Sequence, residues 1–380
     1  MTVLLDTAPV AARISRAARN LGRRNDGWVL GFHPVARMNP FQALLYSRAF
    51  ASGFAPVGLV ERKDFQALKL APAMGTGAIL HLHWTSGVLA GSEGEDEAAT
   101  RADDYLRDLQ TLQDEGVRLV WSVHNVLPHR CPFPEVEASL RSGLAELVDV
   151  IHVMADDTIS ETSAHYELPE SKIFQVPHPS YVGAYPHHLD RSYVRFEMGY
   201  DTSDLLLGAV GSIQPYKGLG EFAAATKNVM RKNARVRALV GGLPGRDEES
   251  KELVLELQQM GHIDLVARRL SDLELASLTI ALDAAVLPYR ASLNSGAALL
   301  ALSFGVPIVA PMTGSFPRLI ERGFGTGYEL GNAEGLQAAI ESLPGFLENF
   351  DRESVIEFVT SLSGPVISKQ FFTRLREALD

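Results

Sequence analysis

Two stretches in the second half of the chain combine glycine with a cation or with small polar residues, a composition that lets a backbone close around an anion. The first reads Gly211-Ser212-Ile213-Gln214-Pro215-Tyr216-Lys217-Gly218, between an apolar run and a helical pattern. Glycine permits close backbone approach, and a helix N-terminus offers unpaired N–H groups to negative charge. Lys217 adds a full positive charge suited to a diphosphate. Taken alone, such a stretch also fits an ordinary strand-to-helix turn. The second reads Pro288-Tyr289-Arg290-Ala291-Ser292-Leu293-Asn294-Ser295-Gly296-Ala297-Ala298, and Gly305-Val306-Pro307-Ile308-Val309-Ala310 follows it. A helix beginning at Asn294 or Ser295 makes a second anion-ready terminus. Ligands of open parallel sheets sit at the carboxyl edge of the strands, so two such loops on one edge are a far more specific signal than either alone.

The first half offers imidazoles instead. His124 closes an apolar run beside Asn125, where it can exchange a proton or hydrogen-bond a substrate near neutral pH. His81 and His83 alternate on one strand end next to Trp84 and so share a face. They read equally well as a site or as a structural hydrogen-bonded pair. His129 and His178 are weaker candidates, and His152 reads as core. A zinc site can be assembled from His81, His83 and His124, but no supporting shell of carboxylates accompanies them. No Asp-x-Asp pair ends a strand. No metal and no cofactor are therefore expected.

The elements that must position these residues follow a regular alternation. Apolar runs at Trp28–Phe32, Ala78–His83, Val117–Val123, Val148–Met154 and Ile173–Val176 are separated by helical patterns at Asn39–Ala51, Asp103–Gln113, Glu135–Leu147 and Asp156–Tyr166. That spacing predicts βαβ units and a parallel sheet covered on both faces. The proline- and histidine-rich segment 177–204 interrupts the rhythm and reads as a connection. A second alternation follows, with strands predicted at Leu205–Val210, Val236–Val240, Ile263–Val266, Ala284–Pro288 and Ile308–Ala310. Helices are predicted at Gly220–Arg231, Glu248–Met260, Asp272–Ala281 and Gly296–Phe304. The chain is helical beyond Glu334, and its last stretch, Val366–Leu379, could pack back on the first domain.

Composition bounds the function class. A net charge of -11 argues against a partner held by bulk attraction to a polyanion, so no nucleic acid is expected. The single cysteine, Cys131, excludes an intramolecular disulfide and suits a reducing cytoplasm. No segment has the length and apolarity of a membrane span. Arg13, Arg16, Arg19, Arg23 and Arg24 crowd the start, with Val10, Ile14, Ala17 and Leu21 at helical spacing among them. This reads as a basic arm over residues 1–27: either a surface helix touching anionic headgroups or a solvated segment. The acidic run Glu93–Glu97 reads as a solvated loop before a helix.

Several motifs carry a family resemblance. The Lys217-Gly218 loop, the Gly241-Gly242 strand end and the Gly305–Ala310 segment resemble the donor domain of retaining nucleotide-sugar glycosyltransferases. The first half is similar to bacterial exopolysaccharide enzymes, including GDP-mannose-dependent mannosyltransferases. It shares the marks Asn39-Pro40-Phe41-Gln42, His81-Leu82-His83-Trp84, Trp121-Ser122-Val123-His124-Asn125 with Pro128-His129, and Pro177-His178. The resemblance implies an α/β fold of the GT-B type, two doubly wound Rossmann-like domains facing a cleft. An acceptor-binding domain would span 1–182 and a donor-binding domain 183–380. It further implies a glycosyltransferase moving a sugar from a GDP- or UDP-sugar, mannose from GDP-mannose in the first instance, to a glycan or lipid-linked saccharide. The absent Asp-x-Asp pair makes it metal-independent, and its expected place is the cytoplasm, with the basic start as an optional contact to the inner face of the membrane. Donor contacts would come from Gly211, Ser212, Lys217, Gly218, Gly242, Tyr289, Ser292, Asn294, Ser295, Gly296 and Ala297. Acceptor contacts would come from Asn39, His83, Trp84, Asn125 and His129, with His124 and Lys217 as the catalytic pair.

The chain departs from that pattern in two places. The family usually has an arginine where Ser212 stands, and two glutamates near Ser292 and Leu300. Backbone amides of 294–297 would then carry more of the donor contacts. If the reaction inverts, the available bases are His124 and Glu135. The same departures keep two other readings open, a catalytically silent partner subunit and a sugar-nucleotide epimerase.

Overall fold

The structure, a computed structural model, describes residues 8–22, 27–290 and 293–379. It divides into two compact units, one reaching Pro179 and joined by Gly364 onward, the other Ser180–Ser363.

In the first unit the strands are β1 (Trp28–His33), β2 (Phe54–Gly58), β3 (Gly77–Leu82), β4 (Val117–Ser122), β5 (Val150–Val153) and β6 (Ile173–Gln175). All are parallel, in the order β2-β1-β3-β4-β5-β6. The register sets Leu80 beside Leu119 and His81 beside Val120, so both faces of the central strands are buried. The second unit repeats the design with β7 (Leu205–Val210), β8 (Val236–Gly242), β9 (Ile263–Ala267), β10 (Ala284–Val286), β11 (Ile308–Pro311) and β12 (Gly325–Tyr328). Its order is β12-β11-β10-β7-β8-β9, again all parallel. Leu207, Phe222, Val240, Leu257, Val309 and Ile340 lie in its core.

Two strands escape a reading based on apolar runs. β2 and β12 each lie at one edge of their sheet, and each carries breaker residues, Pro56 in one and Gly325 and Gly327 in the other. Edges tolerate proline because an outward N–H has no ladder partner to lose. At Gly325 a Cβ would come within 2.0 Å of the Ile308 carbonyl oxygen, so only glycine lets β12 reach β11. The helix expected over 39–51 is also shorter. It is an α-helix at Phe41–Leu45 and a separate turn at Phe50–Ser52.

The acidic run is not a loop throughout: the helix begins inside it at Glu95, which places Glu95, Asp96 and Glu97 in its first turn, where the macrodipole favours them. The connecting segment contains a helix of its own, Arg191–Glu197, whose Asp190 cap accepts from the Tyr193 amide.

Within the described residues 8–22 the basic N-terminal segment is packed, not a solvated arm. Val10–Leu21 is a helix whose Ile14, Ala17, Ala18 and Leu21 are buried against β1, β2 and the Arg62–Lys69 turn. Its apolar stripe is therefore spent inside the unit, while Arg16 and Arg19 stay at the surface. Arg23 and Arg24 lie outside the described residues. At the other end of the chain, the Gly364–Leu379 helix packs on the Phe41–Leu45 helix and on β5 and β6 through Ile367, Phe371, Phe372 and Leu375. Ser368 accepts from the Arg48 amide at 2.9 Å. Among the described residues no helix is long and apolar enough to cross a membrane.

Because Ile14 is fully buried, Ile14→Ala should cost about 2–5 kcal/mol in denaturant unfolding, the range for a cavity left in a packed core. Unchanged stability would return the segment to the status of a solvated arm.

Candidate functional site

In the first unit the carboxyl ends of β3 and β4 release His83-Trp84 and His124-Asn125 side by side. They line a cavity of about 210 Å³ together with Thr85, Pro128, His129 and Arg141. The His124 ring stacks on Trp84 with centroids 4.2 Å apart and meets the edge of Phe41 at 4.9 Å. Its Nε2 lies 3.0 Å from Nδ1 of His83. The contact does not stop there. His83 Nε2 is 2.6 Å from the Tyr46 hydroxyl, which is 2.8 Å from His81 Nδ1. His81 Nε2 is 2.8 Å from Ser122 Oγ, Ser122 Oγ is 2.7 Å from His152 Nδ1, and His152 Nε2 is 2.9 Å from the Val176 carbonyl oxygen.

Burial is the main cause that holds His81, His83 and His124 well below the ordinary imidazole value, with neighbouring histidines adding to it. His152 and His178 are lowered to about 4 for the same reason. The cluster is neutral at physiological pH.

The wall beside it is a buried ion pair. Arg141 Nε donates to Glu137 at 2.9 Å, and the other guanidinium nitrogens reach the Asn125 carbonyl at 2.9 Å and Thr85 Oγ1 at 3.2 Å. This fixes the loop that carries Asn125. Losing one partner of such a pair costs about 3–5 kcal/mol, since the other charge is stranded in a dry interior.

In the second unit Gly211 follows the last residue of β7 and Gly242 ends β8, with backbone φ of 136° and 154°. A Cβ on Gly242 would stand 1.4 Å from the Gly211 carbonyl oxygen, so the two strand ends touch only because Gly242 has no side chain. Gly218, at φ 65°, allows a second close approach. A Cβ there would lie 2.1 Å from the Pro288 carbonyl oxygen.

That approach brings the two anion-ready loops together. The Arg290 amide donates to the Tyr216 carbonyl at 2.9 Å, and the Lys217 ammonium sits 5.5 Å over the ring of Tyr289. Lys217 is buried, and loss of solvent lowers it from 10.5 to about 8. Among the described residues it has no carboxylate partner. A buried cation under an aromatic face, with no counter-charge, is prepared for an anionic ligand.

The second helix begins at Gly296, so the Gly296 and Ala297 amides are among its unpaired donors. Ser295 Oγ accepts from the Ala298 amide at 3.2 Å and caps that helix. The Asn294 side-chain nitrogen, Nδ2, is shielded from solvent and has no partner among the described residues.

Residues 204–344 match the family described as Glycosyl transferases group 1. The matched stretch covers the Lys217 loop and the Gly296 helix. Two curated relatives are similar to parts of the chain. D-inositol 3-phosphate glycosyltransferase of Segniliparus rotundus is 30% identical over 131 residues, 34% of this chain and 29% of that protein. GDP-mannose:glycolipid 4-beta-D-mannosyltransferase of Xanthomonas campestris pv. campestris is 25% identical over 243 residues, 64% of each. The matched stretch thus spans less than two thirds of either relative.

Among solved structures, sucrose-phosphate synthase of Thermosynechococcus elongatus aligns with a TM-score of 0.71 at 13% identity, covering 93% of this chain and 99% of that one. Anabaena HepE in complex with UDP-glucose aligns at 0.67 and 15% identity, covering 92% and 99%. At such identities the likeness speaks for the fold alone: two parallel six-stranded sheets of the GT-B type.

Of the residues singled out in the sequence, His83, Trp84, His124, Asn125 and His129 line one cavity. Asn39 does not. It is exposed, and its side chain accepts from the Phe41 amide at 2.9 Å, which starts the following helix. Glu135 is also exposed, in the first turn of its helix. The buried carboxylate nearby is Glu137, already paired with Arg141.

Gly211, Ser212, Lys217 and Tyr289 line one small cavity of about 10 Å³, and Gly218 and Gly242 shape the loops around it. Ser212 is exposed and Leu300 is core. Ser292 lies outside the described residues. His81 and His152 are links in the hydrogen-bonded chain, buried away from the cavity. No group of three or more His, Cys, Asp and Glu among the described residues could hold a metal ion.

Sequence reasoning overlooked Tyr46, Ser122, Glu137 and Arg141. Ser122 had a signal, a polar residue in an apolar strand two positions before His124. Glu137 and Arg141 had one too, an i,i+4 pair on an otherwise apolar helix face.

Four buried histidines, His81, His83, His124 and His152, and the half-buried His178 carry a pH signature. Each is depressed in the folded protein and titrates near 6.5 when unfolded. Stability is therefore complete above about pH 6.5 and is lost as pH falls toward 4, at up to about 1.4 kcal/mol per pH unit for each histidine. Urea unfolding at pH 7.5 and pH 5 should show a loss of several kcal/mol. Equal midpoints would mean the cluster is charged or open to solvent.

Proposed function

We propose that this protein transfers a sugar, mannose in the first instance, from a nucleoside-diphosphate donor to a glycan or lipid-linked saccharide in polysaccharide biosynthesis. The observation that carries the reading is Lys217, a buried cation without a carboxylate partner in a glycine loop of the stretch that matches the group 1 family. In such a transfer the bond between the anomeric carbon and the diphosphate oxygen breaks. The acceptor oxygen bonds to that carbon and gives up its proton.

Lys217 and the Gly296 and Ala297 amides would stabilise the charge gathering on the departing diphosphate, with Gly211, Ser212, Gly218, Gly242, Tyr289, Ser292, Asn294 and Ser295 shaping the donor site. Electrostatic stabilisation of this kind is often the largest catalytic contribution. The cavity lined by His83, Trp84, His124, Asn125 and His129 would take the acceptor, Trp84 offering a flat face for a sugar ring. The mannosyltransferase relative supports GDP-mannose as donor, and the glycolipid in its name supports a lipid-linked acceptor. A lipid-linked acceptor would place the protein at the cytoplasmic face of the membrane. Arg16 and Arg19 could meet anionic headgroups there, but the apolar stripe of their helix could not.

Ser212 and Leu300, standing where the family usually has an arginine and a glutamate, favour one second reading, a catalytically silent partner subunit. Thermal stabilisation by GDP but not UDP, together with mannose transfer from GDP-mannose, is the expected result. Lys217→Ala should slow transfer by about 10²–10³, or about 2.7–4 kcal/mol, as for loss of one transition-state donor. Indifference to both nucleotides would favour the silent subunit. A Lys217→Ala rate within a few-fold of wild type would remove the lysine from the mechanism.

A further inference from the structure

The six-group chain behind the first-unit cavity has a direction, and its far end sets it. The Val176 carbonyl oxygen can only accept, so His152 must donate to it from Nε2. A neutral His152 then has a bare Nδ1, and the Ser122 hydroxyl donates to it. Ser122 Oγ in turn accepts from Nε2 of His81, which leaves His81 Nδ1 bare for the single proton of the Tyr46 hydroxyl. The phenol oxygen accepts from Nε2 of His83, and the bare His83 Nδ1 accepts from Nε2 of His124. Reversing any single link would set two protons or two lone pairs against each other in a dry interior. The six side chains from His152 to His124 are all buried, four of them with no exposed surface or nearly none. The low proton affinity of the buried imidazoles supports one proton per ring.

We infer that Val176, His152, Ser122, His81, Tyr46 and His83 act as positioning residues that lock the proton of His124 on Nε2 and present its Nδ1 to the cavity as a lone pair. His124 is then an acceptor for a hydroxyl proton, not a donor to a ligand oxygen. This selects sugars or acceptors that offer an O–H at that point over those that offer only an ether or carbonyl oxygen. The inference deepens the proposed role of His124 in glycosyl transfer and rests on that reading. The lock itself is a property of the unliganded protein, so it can be tested without any transfer assay.

Ser122 is the informative link, because it touches neither the cavity nor His124. Removing its hydroxyl frees the front half of the chain from the carbonyl. His81, Tyr46, His83 and His124 can then run in either direction, and His124 can carry its proton on Nδ1. The experiment is a two-bond proton–nitrogen correlation spectrum of protein labelled with nitrogen-15 histidine near neutral pH. The His124 signals are assigned by their loss in His124→Gln.

Wild type should show His124 as a single tautomer, protonated on Nε2 with a bare Nδ1. Ser122→Ala should add a clear population protonated on Nδ1, and Ser122→Thr, which keeps the hydroxyl, should return the single form. A wild-type His124 protonated on Nδ1 would overturn the inference, as would a Ser122→Ala spectrum with His124 unchanged. If Ser122→Ala does not fold, the wild-type tautomer decides alone. Failure of glycosyl transfer with an intact Nε2 tautomer would count against the proposed function and leave the lock standing.

Discussion

Parallel strand pairing is the constraint on which everything else in this protein rests. A strand can pair in parallel with its neighbour only after the chain has crossed back over the sheet, so each pair demands a connection and all carboxyl ends leave by one edge. In the first unit that edge gathers His83 and Trp84 from β3 with His124 and Asn125 from β4. In the second it gathers Gly211 from β7, Gly242 from β8 and Tyr289 beyond β10. Residues far apart in the chain become neighbours through strand order alone. Both sheet faces must be covered for this to hold, which is why the central strands are continuous apolar runs and why the terminal helices are recruited as cover.

The two units treat buried polarity in opposite ways. In the first, imidazoles lose their charge and satisfy one another in a closed hydrogen-bonded chain, so desolvation is offset bond by bond. In the second, a lysine is kept out of water with only an aromatic face for company. An unsatisfied buried polar group costs about 1–3 kcal/mol, and more if charged, so Lys217 is held at the expense of folding stability. Strain and incomplete pairing of this kind gather where a ligand is meant to complete the site. A neutral cluster, paired throughout its interior and open only at His124, suits recognition of an uncharged sugar, and an unpaired cation suits a diphosphate.

Much of this is legible in the residues. The strands around β4, β7 and β8 follow directly from apolar runs, and the Glu248–Met260 and Asp272–Ala281 helices have the boundaries their patterns imply. Of the edge strands, β6 and β9 are legible as apolar runs, whereas β2 and β12 are not, because glycine and proline mark turns unless one knows that a strand has only one partner. The N-terminal helix misleads for the opposite reason. Its arginines dominate the composition, yet four small apolar side chains decide where it sits. The hydrogen-bonded chain is visible only in part. His81, His83, Ser122 and His124 share a face by alternation, but Tyr46 and His152 reach them from other elements, and no spacing rule connects those. The ion pair of Glu137 with Arg141 shows the same limit, since its purpose is visible only once Asn125 is seen to hang from it.

The central claim is that the two glycine loops of the second unit form one diphosphate site. Amide hydrogen exchange read by mass spectrometry, with and without GDP, tests it most directly, because it reports where a ligand orders the backbone. Saturating GDP should slow exchange in peptides covering 211–219 and 294–299 together, with β9 and the Gly364–Leu379 helix unaffected. Protection confined to one loop, or protection elsewhere with both loops unchanged, would contradict the account.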